Sequence, residues 1–293
     1  MTSVHIISDP ISDVQRRKMI FDGHILIFRK VQKLIELCAF ADKLIREAFG
    51  SLDPETAHEH LDGDEFIATV DALQRRYTNN NRTKELTNQA LIDLGLDEKK
   101  TGRDWTPLRI QPPVSKSKHV DRPTTGLGVH RDSWYANLHQ QTNWWMPIYP
   151  LEHERSLVFY PQYWSRPIKN NTKGWNLQEW RAKRKQMTEA GEPFNKIKEA
   201  CPGPHPDEPI DVSEGMSFII DPGDILNFSA AHLHGGAPNT SKVARFSTEI
   251  RTVHADDLKT EAGCHNIDGE STGSALVDFY TMTDERPIQE IVT

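Results

Sequence analysis

Cysteine is scarce in this chain. There are three in 293 residues, Cys38, Cys201 and Cys264, far apart and odd in number. They cannot build a disulfide framework or a CxxC metal site, and they read as free thiols in a reducing cytoplasm. Long apolar runs are missing too, so no membrane span is expected. The start, Met1-Thr2-Ser3-Val4-His5, lacks the basic region and apolar stretch of a secretory signal. A cytoplasmic location is the expectation. Nor is there an excess of basic residues: 35 Lys and Arg stand against 42 Asp and Glu, a formal net charge of -7. Nucleic acid is therefore not the default partner. The chain shows no internal repeat and no low-complexity tract.

What is present changes character along the chain. Residues 1–104 read as mostly helical. Val31, Leu34, Ile35, Cys38, Ala41, Ile45 and Phe49 recur at helical spacing, and Gly50 stops the run. Phe66, Val70, Leu73 and Tyr77 mark a second helix over 64–77. Between residues 20 and 28, a turn at Asp22-Gly23-His24 leads into a short buried strand. From about residue 105, short strand-like runs alternate with turns. Strands are expected over 107–111, 127–131, 141–149, 156–160, 217–220, 225–228 and 245–253. Turns are expected at Pro222-Gly223-Asp224 and at Gly235-Gly236-Ala237-Pro238-Asn239. Many short strands of this kind predict a mainly β fold with flanking helices, its core a jelly roll of two packed sheets over 105–253. Such barrels hold metals or ligands at the mouth.

Two stretches interrupt the pattern. Residues 112–125 are polar, with Lys116, Lys118, Arg122 and Pro123. Residues 170–211 form an insertion with a charged helix around 180–188. The insertion reads as a lid, and its Arg181, Lys183, Arg184 and Lys185 beside Trp175 and Trp180 read either as a cationic, aromatic wall or as a solvated helix face. Residues 254–293 form a C-terminal extension. The whole chain reads as one domain.

The chemistry sits in two motifs about a hundred residues apart, Val129-His130-Arg131-Asp132 and His232-Leu233-His234-Gly235-Gly236. On a strand, His130 and Asp132 would share one face and could reach one metal. Two imidazoles and one carboxylate on one side of a metal leave the opposite positions open, the ligand set of non-haem iron(II) oxygenases. His232 and His234 compete for the third place. The glycine-rich turn predicted directly after His234 puts that residue at a strand end, which favours it, with His232 as a supporting or core histidine. Arg245 follows His234 by eleven residues and opens a strand whose Arg245, Ser247, Glu249 and Arg251 share a face. Its planar fork suits a carboxylate, and Arg251 is the alternative.

His130-Arg131-Asp132, His234-Gly235-Gly236-Ala237-Pro238-Asn239-Thr240-Ser241 and Arg245 resemble the phytanoyl-CoA hydroxylase-like family of iron(II)/2-oxoglutarate-dependent oxygenases. Ser156 to Pro161 and Gly223 to Phe228 are similar to further strands of that family. The likeness spans roughly residues 105–253 and, more weakly, Asp22-Gly23-His24. It implies a cupin-like double-stranded β-helix that uses Fe(II), 2-oxoglutarate and dioxygen and releases succinate and carbon dioxide. It implies His130, Asp132 and His234 as metal ligands and Arg245 as the clamp on the far carboxylate of 2-oxoglutarate. Gln111, Asn143 and Trp144 are candidate further cosubstrate contacts, although alternation gives Asn143 and Trp145 one face and Trp144 the other. Arg131, Trp134, Tyr135 and Arg109 are candidate walls for the substrate, for which a polar small molecule of specialised metabolism is the working expectation. The family's halogenases replace the carboxylate by a small residue, so the intact Asp132 favours hydroxylation or a related oxidation. A non-catalytic metal- or ligand-binding barrel is the alternative. One departure stands out: Gly236 takes a position where the family often carries a small hydroxyl residue.

Overall fold

The computed structural model describes residues 2–117 and 128–292. In chain order its strands are β1 (Val4–Ile7), β2 (Ile25–Phe28), β3 (Thr101–Arg103), β4 (Leu108–Gln111), β5 (Thr142–Pro147), β6 (Leu157–Phe159), β7 (Met216–Ser217), β8 (Ile225–Ser229), β9 (His234–Gly236), β10 (Arg245–His254) and β11 (Tyr280–Thr281). Its helices are α1 (Asp13–Phe21), α2 (Gln32–Phe49), α3 (Gly63–Thr78), α4 (Asn81–Asp93), α5 (Val114–Ser117), α6 (Asp132–Ala136), α7 (Leu177–Glu189), α8 (Phe194–Ala200), α9 (Ala255–Thr260) and α10 (Gln289–Val292).

A mixed sheet runs in the order β1-β2-β8-β5-β10-β3-β11, with β4 also paired to β10. A second sheet has the order β7-β6-β9. Alternation along the central strands builds three layers. Leu26, Phe28, Trp144, Met146, Ile225, Phe246 and Ile250 point to one side, where they meet Leu34, Leu37, Ala41 and Ile45 of α2, and Phe66, Val70 and Leu73 of α3. The helices therefore cover that face, because their apolar stripes have nowhere drier to go. Ile25, Ile27, Trp145, Leu226 and Phe228 point to the other side and meet Leu157, Phe159 and Phe218 around the smaller sheet.

Local signals explain the helix ends. Gly50 adopts φ 62° just after α2, a conformation that glycine takes without a Cβ penalty. Asp62 caps α3 by accepting from Glu65 N, and Asn80 caps α4 by accepting from Arg82 N.

Several expectations need correction. Residues 1–104 are mostly helical and β2 is the strand expected there, but β1 and β3 were not expected, and all three join the main sheet. The C-terminal part is tied into the same sheet, with β11 pairing to β3. The strand expected over 127–131 lies partly outside the described residues. In its described part His130 makes only an isolated bridge, to His234, and Asp132 is the first residue of α6. Ser133 and Ala136 are both buried, and a helical turn puts these two residues, three apart, on one face where an extended chain would point them to opposite faces. The turn expected directly after His234 begins later, because His234 opens β9 and Gly235 and Gly236 continue it. Most of the polar stretch 112–125 lies outside the described residues, and the side chain of Lys116 with it.

Candidate metal centre

The site lies on the side of the main sheet that faces the smaller sheet, where the apolar filling stops. His130, Asp132 and His234 offer one ligand atom each, all within 4.8 Å of one another. His130 and His234 exchange backbone hydrogen bonds, N–H to O at 2.9 Å in both directions. Their rings lie 4.7 Å apart.

Each ligand candidate is oriented by a second contact. His130 Nδ1 is 2.7 Å from Gly128 O, and His234 Nδ1 is 3.0 Å from His232 O. A carbonyl can only accept, so both Nδ1 atoms carry a proton and both Nε2 atoms are the ones turned to the cluster, that of His130 lying 3.1 Å from Asp132 Oδ1. Asn143 Nδ2 donates to Asp132 Oδ2 at 2.8 Å, and Gln141 Nε2 holds Asn143 Oδ1 at 2.8 Å. The His234 ring stacks on Phe159 with centroids 5.6 Å apart. Burial lowers the His234 pKa to about 4, which keeps its imidazole neutral. Burial alone would raise Asp132, but its hydrogen bond and charge interaction with His130 hold it well below the usual carboxylate range. The same contact outweighs burial at His130 and raises its pKa.

His232 is occupied elsewhere. Its Nε2 lies 3.1 Å from Gly23 O, its Nδ1 accepts from Ser229 N at 3.2 Å, and Trp164 packs on its ring at 4.5 Å. Gly23, at φ 90°, has no room for a side chain, because a Cβ would fall 2.3 Å from Trp164. The Asp22-Gly23-His24 segment thus supports the histidine that does not face the metal site.

Arg245 is buried, 6% exposed. Its Nη1 donates to the carbonyls of Arg155 and Ser156 at 3.2 and 3.4 Å, and its Nε has no partner. Among the described residues no carboxylate lies within ion-pairing distance of it. Burial depresses its pKa to about 10, the mark of a buried cation with little compensation. A Cβ added at Gly236 would stand 3.5 Å from both Nη atoms and 3.6 Å from Gln111 Oε1, so the glycine leaves the front of the guanidinium open. Gln111 Oε1 is likewise buried without a partner.

His130, Asp132, His234, Arg245, Gln111, Asn143, Tyr135 and Arg109 all border one cavity of about 880 Å3. Arg109 pairs with Glu249 at 2.5 Å, and Arg251 with Asp104 at 2.7 Å. The alternative clamp, Arg251, is therefore already neutralised, and Arg245 is not. On the far side, α7 presents Leu177, Trp180, Arg181 and Arg184 to the cavity, a spacing that keeps one helix face inward.

Two expected site residues, Arg131 and Trp134, stand away from the cavity, and a third, Trp144, borders it with its ring turned to the other side of the sheet. The Trp144 ring is on the helix-covered face, with Arg16 at 4.8 Å and Phe28 at 5.9 Å, and its Nε1 bonds Thr252. Its neighbour Trp145 is the tryptophan beside Arg245, 5.9 Å from the guanidinium. Arg131 and Trp134 are fully buried and do not border the cavity. Both hydrogen-bond Asp268, a residue in an Asn-Ile-Asp-Gly stretch with no sequence signal for such a role. Glu249, on the cavity floor, also went unassigned, although its place on the Arg245 face was legible.

The donor set, two imidazoles and one carboxylate, fits a divalent first-row metal. The open space before Arg245 fits a carboxylate ligand.

No protein-family model matches the chain, and no curated protein does. Solved structures with similar folds include a non-heme monooxygenase, ThoJ, at 13% identity, TM-score 0.45, covering 78% of this chain and 71% of that one. EvdO2 from Micromonospora carbonacea var. aurantiaca, complexed with 2-oxoglutarate, is 11% identical at TM-score 0.46, covering 83% and 91%. The non-heme alpha ketoglutarate dependent epimerase SnoN from nogalamycin biosynthesis is 12% identical at TM-score 0.41, covering 83% and 85%. Likeness at this level assigns no activity to the chain.

Proposed function

We propose that this protein is an iron(II)/2-oxoglutarate-dependent oxygenase on a double-stranded β-helix, acting on a polar small molecule by hydroxylation. One observation carries the reading: a buried Arg245 without a carboxylate partner among the described residues shares one cavity with a His, Asp, His cluster. Uncompensated buried cations are costly, and a ligand carboxylate removes the cost.

His130, Asp132 and His234 would hold the iron, and Arg245 would pair with the distal carboxylate of 2-oxoglutarate, flanked by Gln111 and Trp145. When bound, iron, 2-oxoglutarate and dioxygen supply a two-electron oxidation coupled to loss of carbon dioxide and formation of succinate. The chain's own work is positional. Gly128 O and His232 O fix the imidazole tautomers, and Asn143 fixes the Asp132 carboxylate. The Phe159, Phe228 and Tyr135 rings pack round the imidazoles and keep water from their flanks. On this reading the insertion is the lid. Its Trp180 and Arg184, stacked at 4.8 Å, and its Lys198 border the cavity and suit a ring-bearing or anionic substrate.

The test is anaerobic loading with iron(II), then 2-oxoglutarate and oxygen, with succinate measured across a panel of polar metabolites. Substrate-stimulated succinate, absent in His234→Ala, supports the reading. No succinate with any candidate and no 2-oxoglutarate-dependent iron absorption band would overturn it.

A further inference from the structure

Arg131 lies between two candidate ligands in the chain, yet it faces away from the cavity. Its guanidinium is fully buried and every arm is used. Nε donates to both oxygens of Asp268 at 3.1 and 3.2 Å. Nη1 donates to Ala231 O at 2.5 Å, three residues before His234. Nη2 donates to Tyr163 O at 2.8 Å and Arg166 O at 3.1 Å, on the segment that leads into the 170–211 insertion.

Asp268 is equally committed. Its Oδ1 also accepts from Trp134 Nε1 at 2.7 Å, on the helix that begins with Asp132. Its Oδ2 accepts from Ile168 N at 3.0 Å. Its backbone oxygen accepts from Asn170 Nδ2 at 2.9 Å. The Arg131 and Asp268 side chains are 1% and 4% exposed.

This pair therefore touches the chain on both sides of the metal centre. It holds the His130–Asp132 turn through Arg131 itself and through Trp134. It holds the approach to His234 through Ala231. We propose that the Arg131–Asp268 pair is a positioning unit that sets the spacing of the three metal ligands, so that the C-terminal segment governs metal affinity without contacting metal. Planar guanidinium geometry is what makes this possible: a lysine could not reach four separated acceptors in fixed directions. The inference rests on the metal reading above.

A buried ion pair also matters to the fold, so the test needs a matched control. Asp257 pairs with Arg17, with side chains 10% and 8% exposed, and neither residue contacts the ligand cluster or Arg131. Cobalt(II) binding is followed by its visible absorption in wild type, Asp268→Asn and Asp257→Asn, with folding checked by circular dichroism. We expect Asp268→Asn to weaken cobalt binding roughly 10–100-fold, the usual effect of losing an orienting partner, and to shift the band. Asp257→Asn should leave affinity and band within about twofold of wild type. Trp134→Phe, which removes one donor to Asp268 and keeps the ring, serves if Asp268→Asn does not fold, and should weaken binding and shift the band in the same direction. Wild-type affinity and band in Asp268→Asn, or equal losses in the two Asn variants, overturn the positioning role. Failure of the wild type itself to bind cobalt removes the metal reading, and this inference with it.

Discussion

His130 and His234 are bridge partners: each donates its backbone N–H to the other's carbonyl at 2.9 Å. The bridge fixes the spacing of the two imidazoles through the backbone, before any side-chain contact is made. His234→Ala should therefore keep the bridge and lose the ligand. We expect stoichiometric zinc or cobalt binding in wild type and a loss of at least about 100-fold in His234→Ala, beyond the range seen for losing a supporting contact. His232→Gln should retain binding, because that ring faces Gly23 and Ser229. Metal content after desalting, with equilibrium competition, checks both. Equal losses in the two variants would mean that the ligand assignment is wrong.

Arg245→Gln should separate affinity from stability. Hydrogen bonds to charged groups contribute about 1.5–3 kcal/mol, so the 2-oxoglutarate Kd should rise roughly 10–100-fold. The ligand-free protein should be no less stable than wild type, because a buried cation without a carboxylate partner is removed. Melting curves with and without 2-oxoglutarate and zinc read both effects. A destabilised ligand-free variant with unchanged 2-oxoglutarate binding would count against the clamp.

The two adjacent tryptophans predict opposite outcomes. Trp144 is fully buried in the helix-facing core, so Trp144→Ala should cost about 3–5 kcal/mol in urea unfolding. Trp145→Leu should cost less in unfolding and weaken 2-oxoglutarate binding, since its ring borders Arg245. Reversal of the two patterns would contradict the strand register.

Burial pulls the His232 pKa from 6.5 down to about 3. The unfolded chain therefore binds a proton there that the folded chain refuses, between those two values. Stability contributed by this neutral ring is present above about pH 6.5 and is lost as the pH falls toward 3. His254 is lowered by burial as well and acts in the same sense. The metal-free protein should thus lose stability from pH 7.5 to 5, and His232→Gln should flatten that slope. Urea midpoints at several pH values test it. An unchanged slope in the variant would assign the effect to other groups.

The sequence by itself determined the long helices, the strand faces and the cluster. The stripes of α2 and α3 were legible because a 3.6-residue period must bury one face. The shared face of Arg245, Glu249 and Arg251 was legible because strand side chains alternate. Spacing named His130 and Asp132 with either His232 or His234, and Arg245 or Arg251, as candidates, and the family resemblance implied His130, Asp132, His234 and Arg245. Tertiary structure decided what spacing cannot encode. Asp132 begins a helix, which brings the buried Ser133 and Ala136 onto one face. Trp145, not Trp144, turns toward Arg245, because the helices cover one face of β5 and the cavity borders the other. Arg131 is a buried, fully hydrogen-bonded residue because Asp268, far along the chain, arrives with a charge that offsets its burial. Local pattern reports which way a side chain points. Only long-range packing decides what stands there to meet it.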